Sequence, residues 1–175
     1  MKIATLHDLY VEEIKGLYSG EQQLLKALPK MAKAAISPQL AKAFTDHVVE
    51  TKAQLERLEK IFKKLDVSPT AKTCKVMEAL LAEGNAAISD DADPTIKDAT
   101  LIALAQRIKH LEMAGYGSTR TFARLLGCEE SADLLQKTLD EEWAADKKLT
   151  KVAEAVINVK AVAAAGRNKA VALST

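Results

Sequence analysis

The chain has 175 residues, nearly half of them hydrophobic, which is enough for one sizeable core but not for two. Its formal net charge of +1 gives no strong field that would attract nucleic acid, an anionic membrane or an acidic substrate. Since residues 1–20 lack a signal-peptide pattern and no apolar run approaches the about 20 residues of a membrane span, we expect a cytoplasmic protein without membrane or nucleic-acid partners.

Ala, Leu, Lys and Glu dominate the sequence, a composition that favours helices. Helix breakers divide the chain into five segments, predicted at 5–35, 37–65, 71–88, 95–126 and 129–160. Four of these segments are long and the third is short. We predict an all-α, ferritin-like four-helix bundle over residues 1–160, with the short helix in the crossover between main helices two and three. Residues 161–175 are predicted to form a frayed or disordered tail.

The first segment has an apolar stripe at the spacing of a buried helix face, and one acid interrupts it. The stripe consists of Tyr10, Ile14, Leu17, Leu24, Leu28 and Met31. Glu21 holds a position inside this stripe where an apolar residue is expected. In the second segment the stripe is intact, and Glu50 lies beside it on a face shared with His47 and Gln54. We expect Glu50 to turn toward the bundle interior from the border of the core.

The fourth and fifth segments repeat the interruption. Glu112 lies within the stripe of Ala105, Ile108, Gly115, Thr119, Phe122 and Leu126, and Glu142 within that of Leu135, Thr138, Leu149, Val152 and Val156. Glu21 and Glu50 are separated by almost the same number of residues as Glu112 and Glu142, so the two halves of the chain echo each other. Tyr116, one turn after Glu112, either brings its hydroxyl near any metal ions that these acids bind or simply packs in the bundle.

Acids in or beside an apolar core need a counter-charge, because burying an unpaired carboxylate costs several kcal/mol. Two divalent ions would balance the four negative charges of Glu21, Glu50, Glu112 and Glu142. Oxygen donors favour iron or manganese over zinc or copper. We therefore predict two iron ions, with manganese as the other candidate. The alternative is a metal-free network in which the carboxyl groups share protons or pair with Lys or Arg.

A further oxygen donor follows two of the glutamates by one helical turn. Gln54 lies four residues after Glu50, and Asp146 four residues after Glu142, so each pair shares a helix face. Di-iron carboxylate bundles place a histidine three residues after the glutamate, where this chain has alanine in both cases. Gln54 and Asp146 are predicted to take the place of those histidines. His47 is either a ligand or a partner of Glu50, and a structural role is the favoured interpretation.

Four blocks of sequence carry a resemblance to a known family. They are DLYVEEIKGLYSGEQQLLKALPKMAKAA, HVVETKAQLERLEKIF, LIALAQRIKHLEMAGYGSTRTFARLLG and LLQKTLDEEWAADKKLT. With these blocks the chain resembles the YciE/YciF family of bacterial ferritin-like proteins, which are associated with stress responses. The resemblance implies a di-metal site on Glu21, Glu50, Glu112, Glu142 and Asp146, with Gln54 as a further candidate. It also implies a homodimer, and Trp143, which points away from Glu142 on an ideal helix, is a candidate for a helix–helix or dimer contact.

Three functions are compatible with this pattern. The leading hypothesis is a non-haem di-iron protein that reacts with dioxygen or peroxide in a stress response, which would make it an iron-dependent oxidoreductase. The second is a non-enzymatic stress or interaction protein whose metal site stabilises the bundle. The third is iron storage, which depends on an assembly that one chain does not reveal.

Overall fold

The computed structural model describes residues 3–70 and 72–164, and all regular elements within these ranges are helical. The helices are α1 (Leu6–Ala34), α2 (Pro38–Lys64), α3 (Lys75–Ser89), α4 (Pro94–Leu125) and α5 (Glu129–Val152). A π-helical turn, Ala153–Ile157, follows α5 directly. Helical structure then continues to residue 164, so the first residues of the predicted tail are helical and the others lie outside the described ranges. No helix in these ranges is both long and apolar enough to cross a membrane.

Local capping residues set where the long helices begin and end. At the start of α1, Thr5 and Asp8 form a capping box in which each side chain accepts the other's backbone N–H at 3.0 Å. Ser37 and Asp93 cap α2 and α4, and each precedes a proline at the first helical position. Gly127 follows α4 with a φ of 72°, a left-handed conformation that glycine adopts without steric cost.

The directions of the four long helices define the bundle. Short connections make α1 antiparallel to α2, and α4 antiparallel to α5. Asp98, near the start of α4, accepts the backbone N–H groups of Ile36 and Ser37 at 2.8 and 2.7 Å, which places the start of α4 at the end of α1. Lys64 at the end of α2 pairs with Glu130 at the start of α5. Helices α2 and α4 therefore run in the same direction, and a crossover along the bundle must join them.

Helix α3 lies in this crossover and packs against α1 and α4. Ser19 on α1 anchors its start, because the Ser19 hydroxyl accepts the backbone N–H of Cys74 at 3.0 Å. Gly84 faces Leu104 so closely that an added Cβ would lie 2.5 Å from Leu104 Cδ2. The predicted ferritin-like bundle with a short helix in the crossover is confirmed.

The apolar core is divided in two along the bundle. One cluster includes Leu24, Leu28, Met31, Leu40, Phe44, Leu101, Ile108 and Leu149. The other includes Tyr10, Ile14, Leu58, Ile61, Phe62, Tyr116 and Leu135. Between them along the helices lies a polar layer of buried side chains, which comprises Glu21, His47, Gln54, Lys109, Glu112 and Glu142. This layer holds the acids that interrupt the apolar stripes.

Candidate metal centre

Three of the predicted ligands meet in the polar layer. Glu21 comes from α1, Glu112 from α4 and Glu142 from α5, and they are 1%, 4% and 0% exposed. Their carboxyl groups are close enough for the charge of Glu142 to act on the pKa of both others. The interrupted apolar stripes therefore converge on one buried carboxylate cluster.

Lys109 lies among these carboxyl groups, although it is not one of the predicted site residues. It precedes Glu112 by one turn on α4 and is 3% exposed. Its Nζ lies 2.6 Å from Glu112 Oε2 and also contacts Glu142 Oε2 and His47 Nε2. One ammonium group thus joins side chains from α2, α4 and α5.

His47 connects the polar layer to the protein surface. The ring is buried, with Nδ1 2.6 Å from Glu50 Oε2 and Nε2 3.8 Å from Glu142 Oε1. The Glu50 side chain is 44% exposed, so it lies at the rim of the cluster. The hydrogen bond from His47 is the main cause that lowers the pKa of Glu50. His47 is therefore both a partner of Glu50 and a member of the buried cluster.

The two predicted substitutes for histidine lie in different places. Gln54 is fully buried, and its Nε2 donates to Glu142 Oε1 at 2.6 Å. Asp146 lies between α4 and α5, where Oδ1 is 3.4 Å from Gln106 Nε2 and 3.6 Å from His110 Nε2. His110 is largely exposed. Gln54 thus belongs to the cluster, whereas the Asp146 side chain lies near Gln106 and His110 of α4.

Tyr116 fixes the orientation of Glu21. It is fully buried, and its hydroxyl donates to Glu21 Oε1 at 2.6 Å. The ring packs in the second apolar cluster, while the hydroxyl reaches the Glu21 carboxylate.

Burial and neighbouring charges together determine the pKa values of the cluster. Burial, together with the charge of Glu142, raises the pKa of Glu21 to about 8 and that of Glu112 well above its usual range. Burial acts to lower the pKa of Lys109, but the charges of Glu112, Glu142 and Glu21 outweigh it and raise that pKa. Burial opposes ionisation of Glu142, but Lys109 and His47 outweigh this effect and lower its pKa. Without a metal, Lys109 and Glu142 thus form an ion pair, and burial together with the charge of Glu142 favours the protonated forms of Glu21 and Glu112.

Several buried oxygens of the cluster accept no hydrogen bond from any residue the structure describes. They include Glu21 Oε2, Glu112 Oε1, Gln54 Oε1 and Thr51 Oγ1, whereas Glu112 Oε2 has the Lys109 ammonium at 2.6 Å. Buried polar atoms in native proteins are nearly always paired, so these oxygens call for a further partner such as a cation or water. Side-chain oxygens suit hard or borderline divalent ions. One atom each from His47, Glu112 and Glu142 also lies within 4.8 Å of the other two. The donor set therefore fits a divalent metal ion.

A cavity of about 120 Å³ opens beside the polar layer. Its walls are apolar and include Leu24, Leu28, Met31, Phe44, Ile108 and Leu149, while His47, Glu50, Lys109 and Lys148 supply the polar part of the lining. A single water molecule needs a cavity volume of about 10–15 Å³, so this cavity has room for several waters or one small molecule.

A bidentate ion pair holds α2 against α5 next to the cluster. Two guanidinium nitrogens of Arg57 donate to the two oxygens of Glu141 at 2.6 Å each, and one of them also donates to Thr138 Oγ1 at 3.0 Å. This fork geometry is rigid, and it keeps Gln54 and Glu142 in register across the helix pair.

Comparison with known proteins agrees with this architecture. A family described as a domain of unknown function, DUF892, matches residues 5–162. Protein YciF of Escherichia coli strain K12 is 38% identical over 162 residues, which cover 92% of this chain and 98% of that protein. The crystal structure of the E. coli stress protein YciF matches with a TM-score of 0.86 at 37% identity, over 89% of this chain and 99% of that one.

Two further solved structures share the fold. YcfI from Rhodopseudomonas palustris matches with a TM-score of 0.83 at 38% identity, over 86% of this chain and 96% of that one. A protein from Xanthomonas campestris pv. campestris matches at 20% identity with a TM-score of 0.72. The extent of the family match and the identity to YciF show that this chain belongs to the DUF892 family, the family of YciF.

Proposed function

We propose that this chain is a metal-binding protein of the ferritin-like class whose carboxylate cluster serves a reaction with dioxygen or peroxide. The observation that carries the proposal is the set of buried oxygens on Glu21, Glu112 and Gln54 that accept no hydrogen bond within the described residues. A divalent ion would satisfy these acceptors and balance the carboxylate charge. Iron is the first candidate because the donors are rich in oxygen, and manganese is the second.

The residues that would hold the ion are Glu21, Glu112, Glu142 and Gln54, with Glu50 and Asp146 as outer candidates. Bound iron would supply one-electron redox chemistry. The chain itself positions the donors: Tyr116 orients Glu21, and Gln54 orients Glu142 through their hydrogen bonds. Lys109 lines the cavity and keeps a positive charge beside it, which would stabilise negative charge developing on a small oxidant.

Metal loading and turnover test this proposal together. Metal-free protein is incubated with Fe²⁺ or Mn²⁺ under anaerobic conditions, and bound metal is then quantified. Peroxide and dioxygen consumption are measured with and without the metal. We expect Glu112→Gln to lose most of the bound metal, whereas Glu78→Gln, at an exposed position of α3, should bind as much as the wild type. Absence of bound metal under every loading condition would sink the proposal.

A structural role without turnover is the second candidate. The position of the cluster favours it, since the side chains that meet at Lys109 come from α2, α4 and α5 and a metal bound among them would tie these helices together. In that case a bound metal should raise the melting temperature strongly while peroxide and dioxygen consumption stay undetectable.

We also propose a role in stress, because the E. coli relative is described as a stress protein. We further propose that the chain forms a homodimer. Exposed apolar side chains support an interface: Trp143 is 49% exposed and Val49 is 69% exposed.

A further inference from the structure

We infer that the Lys109 ammonium takes the place of one cation in the carboxylate cluster, so that each chain binds a single divalent ion rather than the predicted two. The inference rests on the proposed function, namely that the cluster binds metal. It concerns the number of ions and the residue that limits it.

The position of the ammonium group is the first argument. Glu112, Glu142 and His47 are the three side chains whose donor atoms converge within 4.8 Å of one another, as the ligands of one ion would. Lys109 Nζ contacts all three of them. A cation of the protein's own therefore already fills the point where these donors meet.

The charge balance of the polar layer is the second argument. Among the buried groups, Glu21, Glu112 and Glu142 contribute three negative charges when ionised, and Lys109 contributes one positive charge. The difference matches one divalent ion. Glu50 is not counted because its side chain is 44% exposed at the rim, where solvent screens its charge. A second divalent ion would leave an excess of buried positive charge, which costs several kcal/mol in the interior. Arg57 does not alter this balance because Glu141 neutralises it.

The oxygens without donors are the third argument. Glu21 Oε2, Glu112 Oε1 and Gln54 Oε1 accept no hydrogen bond within the described residues, and they belong to side chains that are at most 4% exposed. Lys109 contacts the other oxygen of Glu112. The ammonium would thus contact one oxygen of Glu112, and the metal ion would bind the oxygens of Glu21, Glu112 and Gln54 that have no donor.

Metal stoichiometry tests the inference. Metal-free full-length protein is titrated anaerobically with Mn²⁺ by isothermal titration calorimetry, and bound manganese per chain is measured after desalting. We expect one ion per chain. Lys109→Glu exchanges a positive for a negative charge and should raise the number to two. Lys75→Glu is the matched control, because Lys75 also precedes a glutamate by three residues but its side chain is 79% exposed, and it should stay at one.

Electron paramagnetic resonance provides a second readout of the same samples. Manganese in the wild type should give the spectrum of an isolated ion, and Lys109→Glu should give that of a coupled pair. Two ions in the wild-type chain would overturn the inference and leave the proposed function standing. One ion in a folded Lys109→Glu variant would also overturn it, since lysine would then not be the limiting residue. No bound ion in the wild type would instead refute the proposed function.

Discussion

The charge of each group in the polar layer depends on its neighbours. Lys109 keeps its proton because carboxylates surround it, and Glu142 stays ionised because Lys109 contacts it. Burial and the charge of Glu142 both disfavour further negative charge, which raises the pKa of Glu21 and that of Glu112. Substitution of one member should therefore change the stability and pH response of the whole cluster.

Removal of the Lys109 ammonium should destabilise the metal-free protein. We expect Lys109→Met to lower the free energy of unfolding at neutral pH by about 3–5 kcal/mol, because it leaves a buried carboxylate without its partner. Urea denaturation measures the change. The control is Lys75→Met, which removes an exposed lysine paired with Glu78 and should change stability by less than about 0.5 kcal/mol. Equal effects of the two substitutions would contradict the buried ion pair.

The raised pKa of Glu21 predicts a pH dependence of the metal-free protein. The pKa of Glu21 is about 8 in the folded chain, compared with an ordinary value of 4.5 when the chain is unfolded. The folded state therefore binds more protons between these values, and the free energy of unfolding should fall as pH rises through this window. The fall is about 1.4 kcal/mol for each unit by which the two pKa values differ.

Glu21→Gln isolates this contribution because glutamine keeps the shape without the titrating proton. We expect its stability to decline less steeply than that of the wild type between about pH 4.5 and pH 8 in chelator-treated samples. Glu78→Gln, at an exposed position, should keep the wild-type slope. A wild-type slope in Glu21→Gln would show that Glu21 is not the group that titrates.

The sequence is informative about the acids of the site and less so about their partners. A glutamate within an apolar stripe can be recognised from the sequence alone, so Glu21, Glu112 and Glu142 are predictable. Lys109 precedes Glu112 by three residues, the same pattern as the exposed pair Lys75 and Glu78. The available signal is that Lys109 lies one turn after Ala105 on the inner face of α4. Its contacts with α2 and α5 depend on the tertiary structure.

Helix boundaries follow local rules where the capping residues are local. The observed starts of α1, α2 and α4 lie within one residue of the predictions, because Thr5, Ser37 and Asp93 cap their own helices. The third helix was expected from residue 71 but begins at Lys75. Cys74 has no side-chain capping bond, and Ser19 of α1 accepts its N–H instead. That partner is distant in sequence, so local patterns do not reveal it.

Asp98 joins the α1–α2 connection to α4 and should be important for the stability of the bundle. Its two oxygens accept the N–H groups of Ile36 and Ser37, so Asp98→Ala would leave two backbone donors unpaired. We expect a loss of about 2 kcal/mol or more by chemical denaturation. Asp46→Ala removes a partly exposed partner of Lys42 and Lys148, and its unfolding midpoint should change much less. A similar loss for both variants would refute a special role of Asp98.

At the scale of the whole molecule, the topology was predictable and the assembly is a proposal. Four segments of matching length with one short segment in the middle lead to a bundle with one crossover, because short connections must join antiparallel neighbours. The interface of a homodimer leaves only a weak trace in one chain, namely apolar side chains such as Trp143 that the bundle does not bury.

Light scattering coupled to size exclusion tests the homodimer. We expect a particle of twice the 18.9 kDa chain mass. Trp143→Ala should shift the particle toward the monomer if this exposed ring lies at the interface, whereas Leu125→Ala, at the end of α4, should not. A wild-type particle with the mass of one chain would contradict the dimer, and a much larger one would favour a storage cage.

Anomalous diffraction at the iron edge is the most direct test of whether the polar layer binds a metal ion. Crystals are grown from iron-loaded protein, and an anomalous difference map is computed over the polar layer. We expect one peak per chain among Glu21, Glu112, Glu142 and Gln54, with the Lys109 ammonium beside it. The contradicting result is no peak there in protein that metal analysis shows to be fully supplemented. The cluster would then be a buried network of carboxyl groups and lysine without a metal ion.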